Sequence, residues 1–153
     1  EKMFETAAQL NVPYTLMHMR GTPENMASMT NYANVTIEVI KSLAEKVNRL
    51  ALLGVNDVIV DPGFGFSKNI VQNYELLKNL EIFHELDRPM LVGVSRKSMI
   101  YRPLGSTPQE ALNGTTVLNT IALLAGASIL RVHDVKEAVE AIKLVELTQH
   151  NNK

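Results

Sequence analysis

Val58-Ile-Val-Asp-Pro-Gly-Phe-Gly-Phe-Ser-Lys-Asn69 is the stretch on which the reading of this chain turns. An apolar run ends abruptly on a carboxylate, Asp61, and Pro62 and Gly63 then break the strand. Two Gly-Phe steps follow as a turn. A buried strand that delivers a charged group to its C-terminal end is how parallel α/β proteins place catalytic and binding residues. The glycines permit close approach of backbone, and the phenylalanines offer flat apolar surface to a ring. The plainer alternative is an Asp61 that caps the turn or the next helix, with Phe64 and Phe66 as core.

Outward from this stretch the same unit recurs. Strands are expected over residues 12–19, 57–60, 89–94 and 127–132, each nearly continuous in apolar residues. Parallel strands covered on both faces have that composition. A helical pattern fills residues 31–53, with Val35, Val39, Leu43, Val47 and Leu50 on one face and Gly54 after its end. A second fills residues 70–86, with Leu76, Leu77, Leu80 and Phe83 aligned. Thr107-Pro-Gln-Glu110 is a capping box that opens a helix to about residue 125. Asp134-Val-Lys-Glu137 opens another to about residue 148, and the tail beyond is expected to fray. Residues 1–10 read as the end of an amphipathic helix without an initiator methionine, so residues upstream are expected. Strand–helix units joined by right-handed crossovers build either a closed barrel or an open doubly wound sheet.

Composition narrows the chemistry. The 153 residues, 46% of them hydrophobic, suit one globular domain or part of one. A net charge of −1 gives no electrostatic reason to expect nucleic acid or an anionic membrane. No run of apolar residues is long enough for a membrane span. The absence of cysteine rules out disulfides and thiolate chemistry and suits a cytoplasmic enzyme. The four histidines, His18, His84, His133 and His150, have no helical metal-ligand spacing, so no structural zinc site is expected.

All four expected strands end in polar residues: Met17-His-Met-Arg-Gly21, Asp61, Ser95-Arg-Lys-Ser98 and Arg131-Val-His-Asp134. The C-terminal ends of parallel strands face the same way, so four such endings make a site. Arg131 and His133, two apart on a strand, leave the same face, and a cation beside an imidazole suits a diphosphate. A buried pair satisfied by an internal carboxylate is the competing account. Asp134 is better explained as the N-cap of the last helix. Lys97 can donate to a ring oxygen or nitrogen, and Ser98 stands where a short helix can begin; taken by itself, the segment is better explained as a solvated basic loop. Met17 and Met19 are better explained as core than as ligand contacts, although thioethers also pack on flat rings. His18 and Arg20 stay ambiguous, His84 reads as structural, and Lys68 and Asn69 read as the start of the next helix. A carboxylate for an amino-pyrimidinone edge, a lysine, an aromatic surface and an Arg-His pair together describe a site for a heteroaromatic diphosphate.

The segments 16–26, 60–69, 91–100 and 130–135 resemble, in order and spacing, the dihydropteroate synthase family of folate biosynthesis. The resemblance spans essentially the whole chain. It implies a (β/α)8 TIM barrel of which residues 1–153 form the C-terminal half, strands five to eight, the family's N-terminal Asn-x-Thr-Pro-Asp-Ser-Phe loop being absent. It implies condensation of 4-aminobenzoate with (7,8-dihydropterin-6-yl)methyl diphosphate, with Mg²⁺ held by a residue of the other half, and a homodimer. Carried onto this sequence, Asp61, Lys97, Met17 and Gly93 would bind the pterin, and Phe66 and Ser98 the 4-aminobenzoate. Arg131 and His133 would grip the diphosphate and, with Lys97, act in catalysis. Two rivals remain: a methyltetrahydrofolate-binding methyltransferase, which has no diphosphate for Arg131 and His133 to hold, and an inactive half-barrel that only binds pterin.

Overall fold

A computed structural model describes residues 2–150. Helix α1 (Lys2–Leu10) leads into β1 (Tyr14–Met17), then α2 (Val35–Leu52), β2 (Val58–Asp61), α3 (Ile70–Lys78), β3 (Leu91–Val92), the short α4 (Ser98–Tyr101), α5 (Leu112–Leu124), β4 (Ile129–Leu130) and α6 (Val135–His150). Residues 151–153, expected to fray, lie outside the described residues. No described helix is long and apolar enough to cross a membrane.

The strands pair in chain order, and that order decides the architecture. β1 lies parallel to β2, with Met17 opposite Asp61, and β3 lies parallel to β4, with Val92 opposite Leu130. A parallel bridge between Val60 and Met90 joins the two pairs, reinforced by the Val60 N–H donating to Pro89 O at 2.9 Å. Each strand therefore neighbours the next, with no reversal of order. Right-handed crossovers between successive neighbours put every helix on one side, which bends the sheet into the arc of a barrel instead of a doubly wound sheet.

Burial follows the sequence pattern. On α2, Val35, Val39, Leu43, Val47 and Leu50 are all buried, and their spacing of three and four residues is one helical face. That face packs with Leu16, Val58, Val60, Val92 and Val94 in one core; each such side chain contributes about 1.5–3 kcal/mol on burial. The strands are shorter than the apolar runs. Pro13 and Pro89 offer no N–H to a ladder, and regular pairing stops where the chain turns toward the site.

Two helix expectations need correction. Residues 70–86 do not form one helix: α3 stops at Lys78 and a 3₁₀ segment, Leu80–Leu86, replaces it. At the junction the Asn79 side chain donates to Glu75 O at 2.8 Å, the competing local bond that makes asparagine a poor interior helix residue. The Thr107 capping box forms, with the Glu110 carboxylate accepting from the Thr107 N–H and hydroxyl. It opens a 3₁₀ turn, Pro108–Glu110, and α5 begins only at Leu112.

Candidate functional site

The Asp61 loop is the centre of the rim. Asp61 is 1% exposed, and its Oδ1 accepts the Gly63 N–H at 2.8 Å. Its Oδ2 accepts from Arg131 Nη2 at 3.2 Å, across 70 residues of sequence. Burial raises the Asp61 pKa; the Gly63 N–H and the cations Arg131, Lys97 and Lys68 oppose that rise. Gly63 has φ +73°, and a Cβ there would stand 1.9 Å from His18 O, so only glycine lets β1 and the loop close together. The two phenylalanines part company: Phe64 is fully buried in the core, and Phe66 is half-exposed at the rim.

Lys97 crosses from the end of β3 to this loop. Its Nζ donates to Phe64 O and stands 4.8 Å from the centre of the Phe66 ring. Arg96, at φ +54°, turns the chain to bring it there; a non-glycine residue in that region is strained, and its N–H is held by Thr115 Oγ1 at 3.0 Å. Burial brings the Lys97 pKa down to about 8, against the pull of Asp61.

The β4 end supplies the cation and the imidazole. Arg131 lies across Gly93, where a Cβ would meet its Nη2 at 2.9 Å. His133 follows, its Nδ1 2.9 Å from the Ser95 hydroxyl, which also accepts the His133 N–H at 3.2 Å. Gly93, Ser95, Lys97, Arg131, Val132 and His133 line one cleft of about 210 Å³. The competing account, a buried Arg131–His133 pair satisfied by an internal carboxylate, holds only in part: Arg131 pairs with Asp61, but its side chain is 51% exposed and His133 is exposed.

Ser98 lies apart. It opens α4 and lines a neighbouring cavity of about 570 Å³ with Gly65, Ser67, Lys68 and Arg102. Met17 is half-buried and sits on the same face as Asp61 through the β1–β2 register, outside both cavities. Asp134 stands at the start of α6, where Ala138 N–H donates to its carbonyl. Its side chain serves Arg96, which donates to both carboxylate oxygens at 3.0 and 2.6 Å, and that pairing lowers the Asp134 pKa.

Several residues at the rim carry roles that the sequence left unassigned. Ser95 fixes His133, and Asn73 holds the loop through Gly65 N–H at 2.7 Å. Arg20 stacks on Tyr32 at 3.7 Å and pairs with Glu38. Lys68 does not simply begin a helix: Asn69 caps α3 with Gln72, while Lys68 turns inward to His18 Nδ1 at 3.1 Å. Polar residues beside a helix start resemble capping residues, and nothing local distinguishes a buried lysine among them.

The rim of the described residues offers no unoccupied carboxylate for a Mg²⁺ ion. Among the described residues no three His, Cys, Asp or Glu side chains converge, and the Asp61 carboxylate in the rim is occupied by Gly63 and Arg131.

Comparison with known proteins shows which ones the chain resembles. The family model described as pterin binding enzyme matches residues 1–133. The dihydropteroate synthase of Escherichia coli strain K12 is 45% identical over 146 residues, covering 94% of this chain and 52% of that protein. The Yersinia pestis dihydropteroate synthase, solved as a sulfonamide drug complex, superposes with TM-score 0.94 at 40% identity over 98% of this chain and 55% of its own. The Thermus thermophilus dihydropteroate synthase, solved in complex with 4-aminobenzoate, gives TM-score 0.92 at 35% identity, covering 95% of this chain and 60% of its own. The chain thus spans about half the length of these relatives.

Proposed function

The chain belongs to the pterin-binding enzyme family, and we propose that the complete protein is a dihydropteroate synthase in which residues 1–153 supply strands five to eight of a (β/α)8 barrel. It condenses 4-aminobenzoate with (7,8-dihydropterin-6-yl)methyl diphosphate, releasing diphosphate. The observation that carries this reading is the meeting of Asp61, Lys97, Arg131 and His133 at the ends of three adjacent parallel strands, with Phe66 beside them.

In the proposed mechanism Asp61 accepts two hydrogen bonds from the amino-pyrimidinone edge of the pterin, above Met17 and Gly93. The pterin edge replaces the Arg131 guanidinium, which moves to the diphosphate beside His133; this half-exposed arginine has an exposed side to move toward. Lys97 donates to the pterin ring and borders the second substrate. Phe66 packs on the aminobenzoate ring, and Ser98 binds its carboxylate from the larger cavity. The bond between the exocyclic methylene and the diphosphate oxygen breaks with its electron pair leaving on the diphosphate, where Arg131 and His133 stabilise the charge. The amine nitrogen then forms the new C–N bond and loses a proton. No covalent enzyme intermediate is needed.

Mg²⁺ is proposed to accompany the diphosphate, with its protein ligand contributed from outside this chain. A cytoplasmic homodimer is proposed as the working form; the exposed apolar Leu144 and Leu147 on α6 support a partnered face. The methyltransferase alternative leaves Arg131 and His133 without an anion. The test is aminobenzoate-dependent release of diphosphate by the purified complete protein. Dihydropteroate formation supports the proposal, and its absence with both substrates bound refutes it. The same assay on residues 1–153 alone, with sizing, decides whether the half-barrel acts by itself.

A further inference from the structure

We infer that Lys68, seated on His18, is a positioning residue that holds the Asp61–Phe66 loop in the shape both substrates need. The inference rests on the proposed function, in which Asp61 meets one substrate and Phe66 the other. Something must keep those two side chains in a constant relation, although Gly63 and Gly65 between them favour many conformations.

The Lys68 Nζ lies within hydrogen-bond distance of Gly63 O at 2.9 Å, Phe66 O at 3.0 Å and His18 Nδ1 at 3.1 Å. An ammonium spends its three N–H groups on these partners, and a neutral amine spends two on the carbonyls and its lone pair on a His18 N–H, so either form leaves nothing for a ligand. This holds although Lys68 forms part of the wall of the larger cavity. The two carbonyls are the two ends of the Gly63–Phe66 turn, itself closed by the Phe66 N–H donating to Gly63 O at 3.1 Å. His18 brings in the end of β1: its own N–H donates to Asp61 O at 2.9 Å, and its carbonyl packs against Gly63. One buried amino group thereby ties the end of β1 to both ends of the turn.

The arrangement is built for this purpose. Lys68 is 8% exposed and His18 2% exposed. Burial and the neighbouring lysine hold the His18 pKa at about 3, so its imidazole is neutral, and its tautomer decides whether Nδ1 accepts from Lys68 or donates to it. An apolar side chain in place of Lys68 would avoid burying a charge, yet would leave the Gly63 and Phe66 carbonyls without this donor. Asn73 holds the same loop from α3, through Gly65 N–H and the Lys68 carbonyl.

A clamp acting through the loop has a signature that a substrate contact lacks, because it affects both substrates together. Lys68→Met in the complete protein is expected to raise KM for the pterin diphosphate and for 4-aminobenzoate alike, each by about 10-fold or more, with kcat changed less than about threefold. Amide exchange at Gly63, Gly65 and Phe66, measured without substrates, is expected to accelerate by about 10-fold. A change in one KM only, or in neither, overturns the inference, as does unchanged exchange. If Lys68→Met does not fold, His18→Leu carries the test, with both KM values expected to rise by about threefold and unchanged values overturning the inference. Wild-type protein that makes no dihydropteroate refutes the proposed function instead; the exchange measurement then still decides the clamp.

Discussion

Asp61→Asn separates recognition from stability. Asp61 Oδ1 is held by the Gly63 N–H at 2.8 Å, which leaves Oδ2, now paired to Arg131 at 3.2 Å, as the face for the pterin. Asparagine has one oxygen. If Gly63 keeps it, the amide NH₂ faces the N–H donors of the pterin edge, donor against donor. Two hydrogen bonds to a charged acceptor are lost, at about 1.5–3 kcal/mol each. The free enzyme also loses its Arg131 pair, but that arginine side chain is 51% exposed and returns to water, so the net loss is that of an ordinary hydrogen bond, about 1 kcal/mol. The net weakening is about 2–5 kcal/mol, or about 30- to 3,000-fold in affinity at about 1.4 kcal/mol per decade. Folding should not suffer, because burial already disfavours the ionised carboxylate and a neutral amide removes that penalty. The assay is calorimetric titration of the complete protein with a pterin, alongside its melting temperature. Pterin affinity within about threefold of wild type would refute the edge-recognition argument.

Arg131→Ala should raise KM for the diphosphate substrate by about 100-fold, given the strength of charge-assisted bonds to phosphate, while a pterin lacking diphosphate binds as well as before or better, since Asp61 is released; equal losses for both ligands would contradict the proposed exchange. Gly63→Ala should destabilise by more than about 2 kcal/mol, because its Cβ would collide with His18 O at 1.9 Å in a left-handed backbone; a change in urea midpoint equivalent to under about 0.5 kcal/mol would argue against that contact. The Lys68 pKa is lowered by burial to about 7 in the folded state, so between there and its ordinary value near 10.5 the unfolded chain carries a proton that the folded chain lacks. Stability should therefore rise with pH through that window and decline as the pH is lowered toward 7, by at most about 1.4 kcal/mol per pH unit from this group, and that part of the slope should vanish in Lys68→Met. Parallel pH slopes in wild type and variant would exclude it.

Much of the site was legible because it is local. A strand that runs apolar and then stops on Asp61 announces its polar end within a few residues; Arg131 and His133 were expected on a strand, and both follow the end of β4 at Leu130. The α2 face was legible for the same reason: five apolar positions repeat at helical spacing, and all five are buried. Less visible was the division of labour among neighbours. Phe64 and Phe66 look alike in sequence, yet one is core and the other faces the rim. Lys97 and Ser98 are adjacent, yet they line different cavities. Asp134 looked like a helix cap, and its carboxylate instead receives Arg96, itself placed by a positive φ that no spacing rule indicates.

What the amino-acid sequence determined by itself was the alternation of strand and helix, the polar ends of the strands and, through the order of its motifs, the family. Periodicity records which face of an element is apolar, and it is written along the chain. The tertiary structure alone decided which strand lies beside which, and hence an arc in place of a doubly wound sheet. It alone brought Arg131 to Asp61 and Lys68 to His18, across 70 and 50 residues. Such pairings depend on turn conformations and on what burial leaves unsatisfied, and both exist only once the chain has folded.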